Sequence, residues 1–372
     1  MSLWKKGLRF GWITLDARSF TDYDMGALSR IQQLDPINGD LWDEQVSSSP
    51  GVSCFHGTGW ARVLHHTYGH IPTYLGVLDG KLPRALLPLM EVDSPLTGRR
   101  GVSLPFADEC NLLVSDGVSG DAIFQEALEL GRRRRWKYLE IRGVNLEGWT
   151  DAPSVSYVGH RVDLSGGENS IYAGFEASVR RAIRKAEKSG VKIRITTSLD
   201  AMEGYYELHC RTRHKLGAPP QSRAFFRNLF EHVIGKGTGV IAEATYQDRP
   251  IAGAVFLHTG SEVTYKFGGS DERFLNLRGN NLMMWEAMKW HASKGYLSLT
   301  FGRTAKNNEG LHRYKCGYGA KVYPINYYRY DFSRKAFRTV RDDTPDWINM
   351  VFRLMPMPVF RTVGTILYRH LS

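Results

Sequence analysis

At 372 residues the chain is too long for one compact core and divides into about two domains of ordinary size. Hydrophobic residues make up 42% and aromatics 12%, which excludes a disordered chain and suits a packed globular one. A formal net charge of +11 points to an anionic partner: nucleic acid, a phosphorylated substrate or a membrane surface. Cys54, Cys110, Cys210 and Cys316 lie far apart without zinc-site spacing, as reduced thiols packed inside a cytoplasmic protein do. No apolar run reaches membrane-spanning length, and the start Met1 to Lys6 lacks the apolar core of a signal peptide, so an intracellular protein is expected.

In chain order, His65, His66 and His70 cluster without acidic neighbours; they finish a helix and its loop, and no metal site is expected. Thr73 to Leu78 and Arg84 to Glu91 alternate around the turn Asp79-Gly80, which predicts a hairpin. A helix follows from Asp121 to Arg134, then a strand from Tyr138 to Gly143. Arg132 to Arg135 complement the dipole of that helix's last turn. A long helix is predicted from Glu168 to Ser189, closed by Gly190, with Ile171, Phe175, Val179, Ile183 and Ala186 on its apolar stripe. Off the stripe lie Arg180, Arg181, Arg184, Lys185 and Lys188, and like charges so spaced repel unless an anion sits between them. Leu199 to Arg213 and Ser222 to Val233 form a helix pair. Their connection, His214 to Pro220, is rigid because Pro219 and Pro220 forbid helix continuation, and Arg211 and Arg213 sit at its start.

Gly239 to Tyr246 and Ile251 to His258 flank the turn Gln247 to Pro250. The strand Glu262 to Phe267, a helix from Gly279 to Ser293 and the strand Tyr296 to Phe301 then repeat the element order of the first block. Tyr138, Leu139 and Ile141 match Tyr296, Leu297 and Leu299 at a constant offset. Hairpins alternating with single crossover helices predict a duplicated mixed α/β (α+β) unit, not a doubly wound sheet. Phe301 to Ala320 reads as a polar loop with Gly302, Arg303, Glu309 and Gly310, then a basic segment with Lys315, Gly317 and Gly319. A cation, a carboxylate and permissive backbone at a strand exit suit an anionic or carbonyl-bearing ligand; the alternative is a glycine-rich surface turn. Asp346 to His370 mixes Trp347, Ile348, Val351, Phe352, Leu354 and Met355 with Arg353, Arg361 and Arg369. It docks on the core or lies in a membrane interface.

Four segments in order carry a resemblance: Arg180 to Val191, Arg211 to Pro220, Tyr265 to Asp271, and Phe301 to Thr304 with Leu311 to Ala320. Together they resemble the FemAB-like proteins, peptidoglycan interpeptide-bridge enzymes and their GNAT-fold relatives associated with exopolysaccharide genes. The resemblance covers roughly Pro50 to Tyr330. It implies two tandem GNAT-like domains, each a mixed, mainly antiparallel sheet flanked by helices. The boundaries expected are 1–165, 166–335 carrying the transfer site, and 336–372 as a basic amphipathic segment.

The implied reaction moves an acyl or aminoacyl group to an amine of a phosphorylated cell-wall or glycan precursor. Acyl-CoA or aminoacyl-tRNA serves as co-substrate, with no tightly bound cofactor. By carry-over, Lys315 holds the donor end or stabilises the oxyanion, Arg303 supports it or holds a phosphate, and Glu309 or Asp271 accepts the amine proton. Arg180, Arg184, Lys188, Arg211, Arg213, Tyr265 and Tyr314 would bind substrate, and Arg278, Gly279, Asn280 and Asn281 the donor. The chain departs from the family in lacking a long coiled-coil segment that embraces tRNA. Its pyrophosphate loop keeps Gly279 but carries Asn281 where a second glycine is usual. The protein is expected in the cytoplasm, with the C-terminal segment on the inner face of the membrane. A nucleic-acid-binding protein and a saccharide-binding, non-catalytic fold relative are the alternatives; against the former, the cations cluster at helix ends and turns rather than among exposed aromatics.

Overall fold

The computed structural model describes residues 31–39, 41–47, 49–115, 118–143, 152–340 and 345–371; the start Met1 to Lys6, read above for the lack of a leader, lies outside them. The first half holds strand β1 (Gln32–Leu34), helices α1 (Trp42–Ser47) and α2 (Thr58–Tyr68), and strands β2 (Ile71–Pro72), β3 (Tyr74–Asp79), β4 (Leu82–Leu87), β5 (Met90–Val92), β6 (Arg100–Val102) and β7 (Leu113–Val114). Helix α3 (Gly120–Arg133) and strand β8 (Tyr138–Arg142) complete it. Next come β9 (Val155–Asp163), α4 (Gly167–Ala173), α5 (Ala177–Lys188), β10 (Lys192–Thr196), α6 (Leu199–Leu216) and α7 (Arg223–His232). The second block is β11 (Gly239–Tyr246), β12 (Arg249–Thr259), β13 (Glu262–Ser270), α8 (Gly279–Ser293), β14 (Ser298–Ala305), α9 (Glu309–Cys316) and β15 (Lys321–Asp331). Strand β16 (Ala336–Phe337) and helices α10 (Asp346–Leu354) and α11 (Met357–Tyr368) close the chain.

Strands β1, β3, β4 and β7 form a small sheet, while the main sheet runs β10-β11-β12-β13-β14-β9-β15-β8-β6-β5-β2. Among the described residues each half has one parallel pair, β6–β8 and β13–β14, spanned by the crossover helices α3 and α8; the other pairs are antiparallel. That is the duplicated, mainly antiparallel α/β architecture. Strand β9 pairs with β14 on one side and β15 on the other, and β15 pairs in turn with β8, so one sheet crosses both halves.

Alternation decides what each face of the second block buries. Ile241, Val255 and Leu257 cluster with Tyr205, Phe225 and Phe226 of α6 and α7. Val240, Ala242, Ala254 and Phe256 cluster with Ile183 of α5 and Met284 and Met288 of α8.

Two expectations change. The long helix over Glu168 to Ser189 is broken at Gly174 to Glu176: Glu176 is extended, and its N–H donates to the Gly317 carbonyl (2.8 Å) instead of continuing the helix. The Gly317–Gly319 turn packs so closely that a Cβ on Gly319 would press on the Gly174 carbonyl. The apolar stripe is buried as expected, from Ile171 through Phe175 to Ala186. The polar loop after Phe301 is likewise ordered. Strand β14 continues to Ala305, and Asn308 Oδ1 accepts from the Leu311 N–H (3.1 Å) to start α9.

The C-terminal segment docks on the core through the turn after α6. His214 Nε2 donates to the Met355 carbonyl (2.9 Å), and Arg213 donates to the Pro219 carbonyl (3.1 Å) and the Tyr368 hydroxyl (3.0 Å). Arg213, expected to bind substrate, is thus committed to this docking. Gly217 and Gly364 lie so close to the backbones of Asn349 and Pro220 that side chains there would collide. No helix among the described residues is long and apolar enough to cross a membrane.

Candidate active site

The parallel pair β13–β14 is hydrogen-bonded only from Glu262 to Thr264 against Ser298 to Thr300, although β13 runs to Ser270 and β14 to Ala305. Two irregularities part the strands. In β13 the pairing with β12 skips Lys266, a bulge. In β14 the pairing with β9 shifts between Thr300 and Arg303, around Gly302 with φ of +64°. A Cβ at Gly302 would also meet the Asp108 carboxylate.

Each side of this notch is held by a lysine. The buried Lys315 ammonium donates to the carbonyls of Phe301 (2.8 Å), Gly302 (3.2 Å) and Arg303 (3.1 Å). Burial lowers its pKa to about 8, with the nearby Asp108 opposing the shift. All three N–H bonds are thus used on the strand, so Lys315 acts on the notch by shaping it and by its charge. The Lys266 ammonium donates to the Phe106 carbonyl (2.6 Å) and to Asp108 Oδ2 (2.8 Å). Burial would raise the Asp108 carboxyl, but Lys266, Arg303 and Lys315 hold it below the ordinary carboxylate value. The Arg303 guanidinium stacks on Tyr157 (4.3 Å to the ring centroid) and Tyr327.

On the helix side of the sheet, a pocket of about 230 Å³ opens at the start of α8. Arg278, Gly279, Asn280 and Asn281 line it with Ser270, Asp271 and Tyr314, so the four donor-binding candidates come together. Asn281 donates its amide to the Tyr318 hydroxyl (3.0 Å). The first turn of a helix leaves backbone N–H groups without intrahelical acceptors, which suits an anion. A cleft of about 620 Å³ shares Arg278, Asn281 and Tyr314 with this pocket and extends along Glu176, Ser178, Arg181, Lys185 and Arg313. It therefore runs from the basic helix to α9, the helix that carries Lys315.

Several predicted residues take other places. Within the basic helix, Arg181 and Lys185 line the cleft, whereas Arg184 and Lys188 are exposed outside it and Arg180 donates back to the Ala173 carbonyl (3.1 Å). The helical period explains the difference: residues one turn apart share a face, and the named trio marks the neighbouring one. Asp271 is buried in an ion pair with Arg211 and a second with Arg273 (2.5 Å). The hydrogen bond from Arg273 chiefly holds its carboxyl at about 2, too acidic to accept an amine proton well. Arg211 is spent on that pair. Glu309 is exposed at the first turn of α9 and lines neither cleft. The Tyr265 ring packs against Phe256 and Phe301, and its hydroxyl fills the space a Gly268 side chain would need.

On the opposite face of the notch lies a cavity of about 670 Å³ that sequence reasoning missed. Asp108, Glu109, Arg161, Glu262, Thr300, Gly302 and Tyr323 are among its lining residues. Burial raises the Glu109 carboxyl, which accepts from the Tyr323 hydroxyl (3.1 Å). Burial likewise raises Glu262, which pairs with Arg161 (3.0 Å). Lys266 lay inside the quoted segment Tyr265 to Asp271 and was the one available signal. Asp108 and Glu109 arrive from the first half, after Leu104 and Phe106, both in the left-handed region without being glycine.

Residues 173–316 match the acetyltransferase (GNAT) domain family. No curated protein sequence matches the chain. Among solved structures, FemX superposes with a TM-score of 0.65 at 14% identity, over 82% of this chain and 98% of its own. A tandem GNAT protein from the clavulanic acid biosynthesis pathway gives 0.52 at 14% identity, over 84% of this chain and 99% of its own. L-PGS from Bacillus licheniformis gives 0.53 at 13% identity, over 86% and 98%. The likeness is one of fold.

Two outcomes test this geometry. Gly302→Ala must place a Cβ residue in the left-handed region against Asp108, and is expected to cost at least about 1–2 kcal/mol in chemical denaturation; unchanged stability would show that the bulge is relaxed. Asp271 has a folded-state pKa below its ordinary 3.8, so its contribution is present above that value and fades as the pH falls towards about 2. The stability deficit of Asp271→Asn should accordingly be constant near neutrality and shrink across that acid window. A deficit independent of pH would mean that the carboxylate charge contributes nothing.

Proposed function

We propose that this chain, a GNAT-fold protein of FemAB-like tandem architecture, transfers an acyl or aminoacyl group to an amine of a phosphorylated cell-wall or exopolysaccharide precursor. The observation that carries the reading is the splayed β13–β14 pair, with a basic cleft on one face and an acidic cavity on the other. The donor, acyl-CoA or aminoacyl-tRNA, lies in the basic cleft with its phosphates near Arg181, Lys185 and Arg278. Its reacting carbonyl reaches the notch beside Gly302. The acceptor amine enters from the acidic cavity, where Glu109 or Glu262 takes its proton; a carboxyl raised from its ordinary value is the better base. The amine nitrogen bonds to the carbonyl carbon, the bond to the donor sulfur or oxygen breaks, and that leaving group takes up the proton released from the amine. Lys315, Lys266 and Arg303 surround the developing oxyanion with positive charge.

The C-terminal helices fit contact with an anionic membrane, where a lipid-linked acceptor would lie. Trp347 and Leu354 are 65% and 77% exposed, Met350, Val351, Val359 and Ile366 are exposed with them, and the chain carries a net charge of +11.

Labelled acetyl-CoA and a labelled aminoacyl-tRNA pool, each offered with phosphorylated precursors, should reveal transfer from one donor. Arg181→Ala with Lys185→Ala is expected to raise the KM for that donor. Glu109→Gln or Glu262→Gln should lower kcat by roughly 10²–10⁴-fold, the range for a lost general base. Folded protein that transfers from neither donor would defeat the proposal. Co-sedimentation should show binding to phosphatidylglycerol vesicles but not to phosphatidylcholine ones, and its loss in Trp347→Ser/Leu354→Ser. Equal binding by that variant would remove the helices from the membrane contact.

A further inference from the structure

Outside the notch, the structure gathers three metal-ligating side chains that no step of the transfer uses. His160 lies on β9 and is fully buried. Its neighbour Arg161 lines the acidic cavity, and successive strand residues face opposite ways, so His160 is directed to the other side of the sheet. There it meets α9, where His312 and Cys316 are four residues apart and share one helix face. His160 Nε2 is 2.9 Å from His312 Nδ1, and His312 Nε2 is 3.6 Å from Cys316 Sγ. One ligand atom from each residue lies within 4.8 Å of the others, and this is the one such trio among the described residues.

We infer that His160, His312 and Cys316 form a binding site for a borderline-soft divalent cation of the zinc class. The donor set is two imidazoles and a thiol with no carboxylate, which favours such a cation over magnesium or calcium. Zinc holds nitrogen at about 2.0–2.1 Å and sulfur at about 2.3 Å, so tetrahedral ligation puts nitrogen and sulfur roughly 3.5 Å apart. The His312–Cys316 spacing already matches, and ligation by His160 replaces its present hydrogen bond to His312 Nδ1 as the imidazole rings turn towards the ion. His312 and Cys316 are half-buried, which leaves a route for the ion, and three protein ligands leave the fourth position to water. On binding, the Cys316 thiol loses its proton to solvent and both imidazoles ligate through neutral nitrogens. The ion ties α9 to β9 beside the helix's own Lys315 anchor. The inference is independent of the reaction proposed above.

Cobalt(II) is the probe. Metal-stripped full-length protein titrated with Co²⁺ should bind it stoichiometrically, with intense visible d–d bands of tetrahedral ligation and a near-ultraviolet thiolate charge-transfer band; Zn²⁺ should abolish both. Cys316→Ser is expected to lose the charge-transfer band and His312→Asn to lose stoichiometric binding, while Cys54→Ser retains everything. Zn²⁺ should raise the Tm of the parent protein and leave that of Cys316→Ser unchanged. Circular dichroism confirms that each variant is folded, and either ligand variant suffices if the other is not. Absence of stoichiometric binding by the folded parent, d–d bands without the thiolate transition, or spectra unaltered in both ligand variants would overturn the site.

Discussion

A buried ammonium bonded to three consecutive backbone carbonyls holds the centre of this molecule. Lys315 gives up its hydration on entering the protein, and only acceptors placed at hydrogen-bond distance offset that loss. The carbonyls of Phe301, Gly302 and Arg303 converge on one point because the strand bulges at Gly302, whose left-handed backbone an L side chain would resist. The bulge turns β14 away from β13 and opens the notch. Helix α9, which carries Lys315, is thereby tied to the strand it follows.

Charge is partitioned across that notch. On the helix side, Arg181, Lys185, Arg278 and Arg313 line a cleft beside the start of α8. On the other side, Glu109 and Glu262 face a cavity with Arg161, their carboxyls raised by burial. In the reaction proposed above, a polyanionic donor and an amine acceptor would need opposite environments, and the two faces of the splayed sheet offer them. Asp108 belongs to neither role: its charge is balanced by Lys266 and it seals the back of the bulge.

The segments that looked like a site were informative about place more than about role. Gly302, Arg303 and Lys315 do sit at the notch, yet Lys315 is wholly engaged with the backbone and Arg303 is sandwiched by tyrosines. Asp271 was expected to accept the amine proton; the two arginines that hold it come from α6 and from the turn after β13. The cations of α5 were countable in the sequence, but which of its two neighbouring basic faces lines the cleft depended on where α8 and α9 lie against it. Asp108 and Glu109 carried no local signal at all, since they reach the site from the first half through a turn with Leu104 and Phe106 in strained backbone.

What the amino-acid sequence determined alone was whatever depends on near neighbours. The apolar stripe of Ile171 to Ala186, the hairpins, the crossover helices and hence the duplicated α/β unit all follow from periodicity and turn chemistry, which act over a few residues. Tertiary structure alone decided the rest. The strands β9 and β15 stitch both halves into one sheet, a pairing set by long-range hydrogen bonding that no local pattern encodes. The same pairing brings Asp108 and Glu109 of the first half against the notch, and His160 against α9. Partners chosen at that separation fix each side chain's charge state and neighbours, and with them its role.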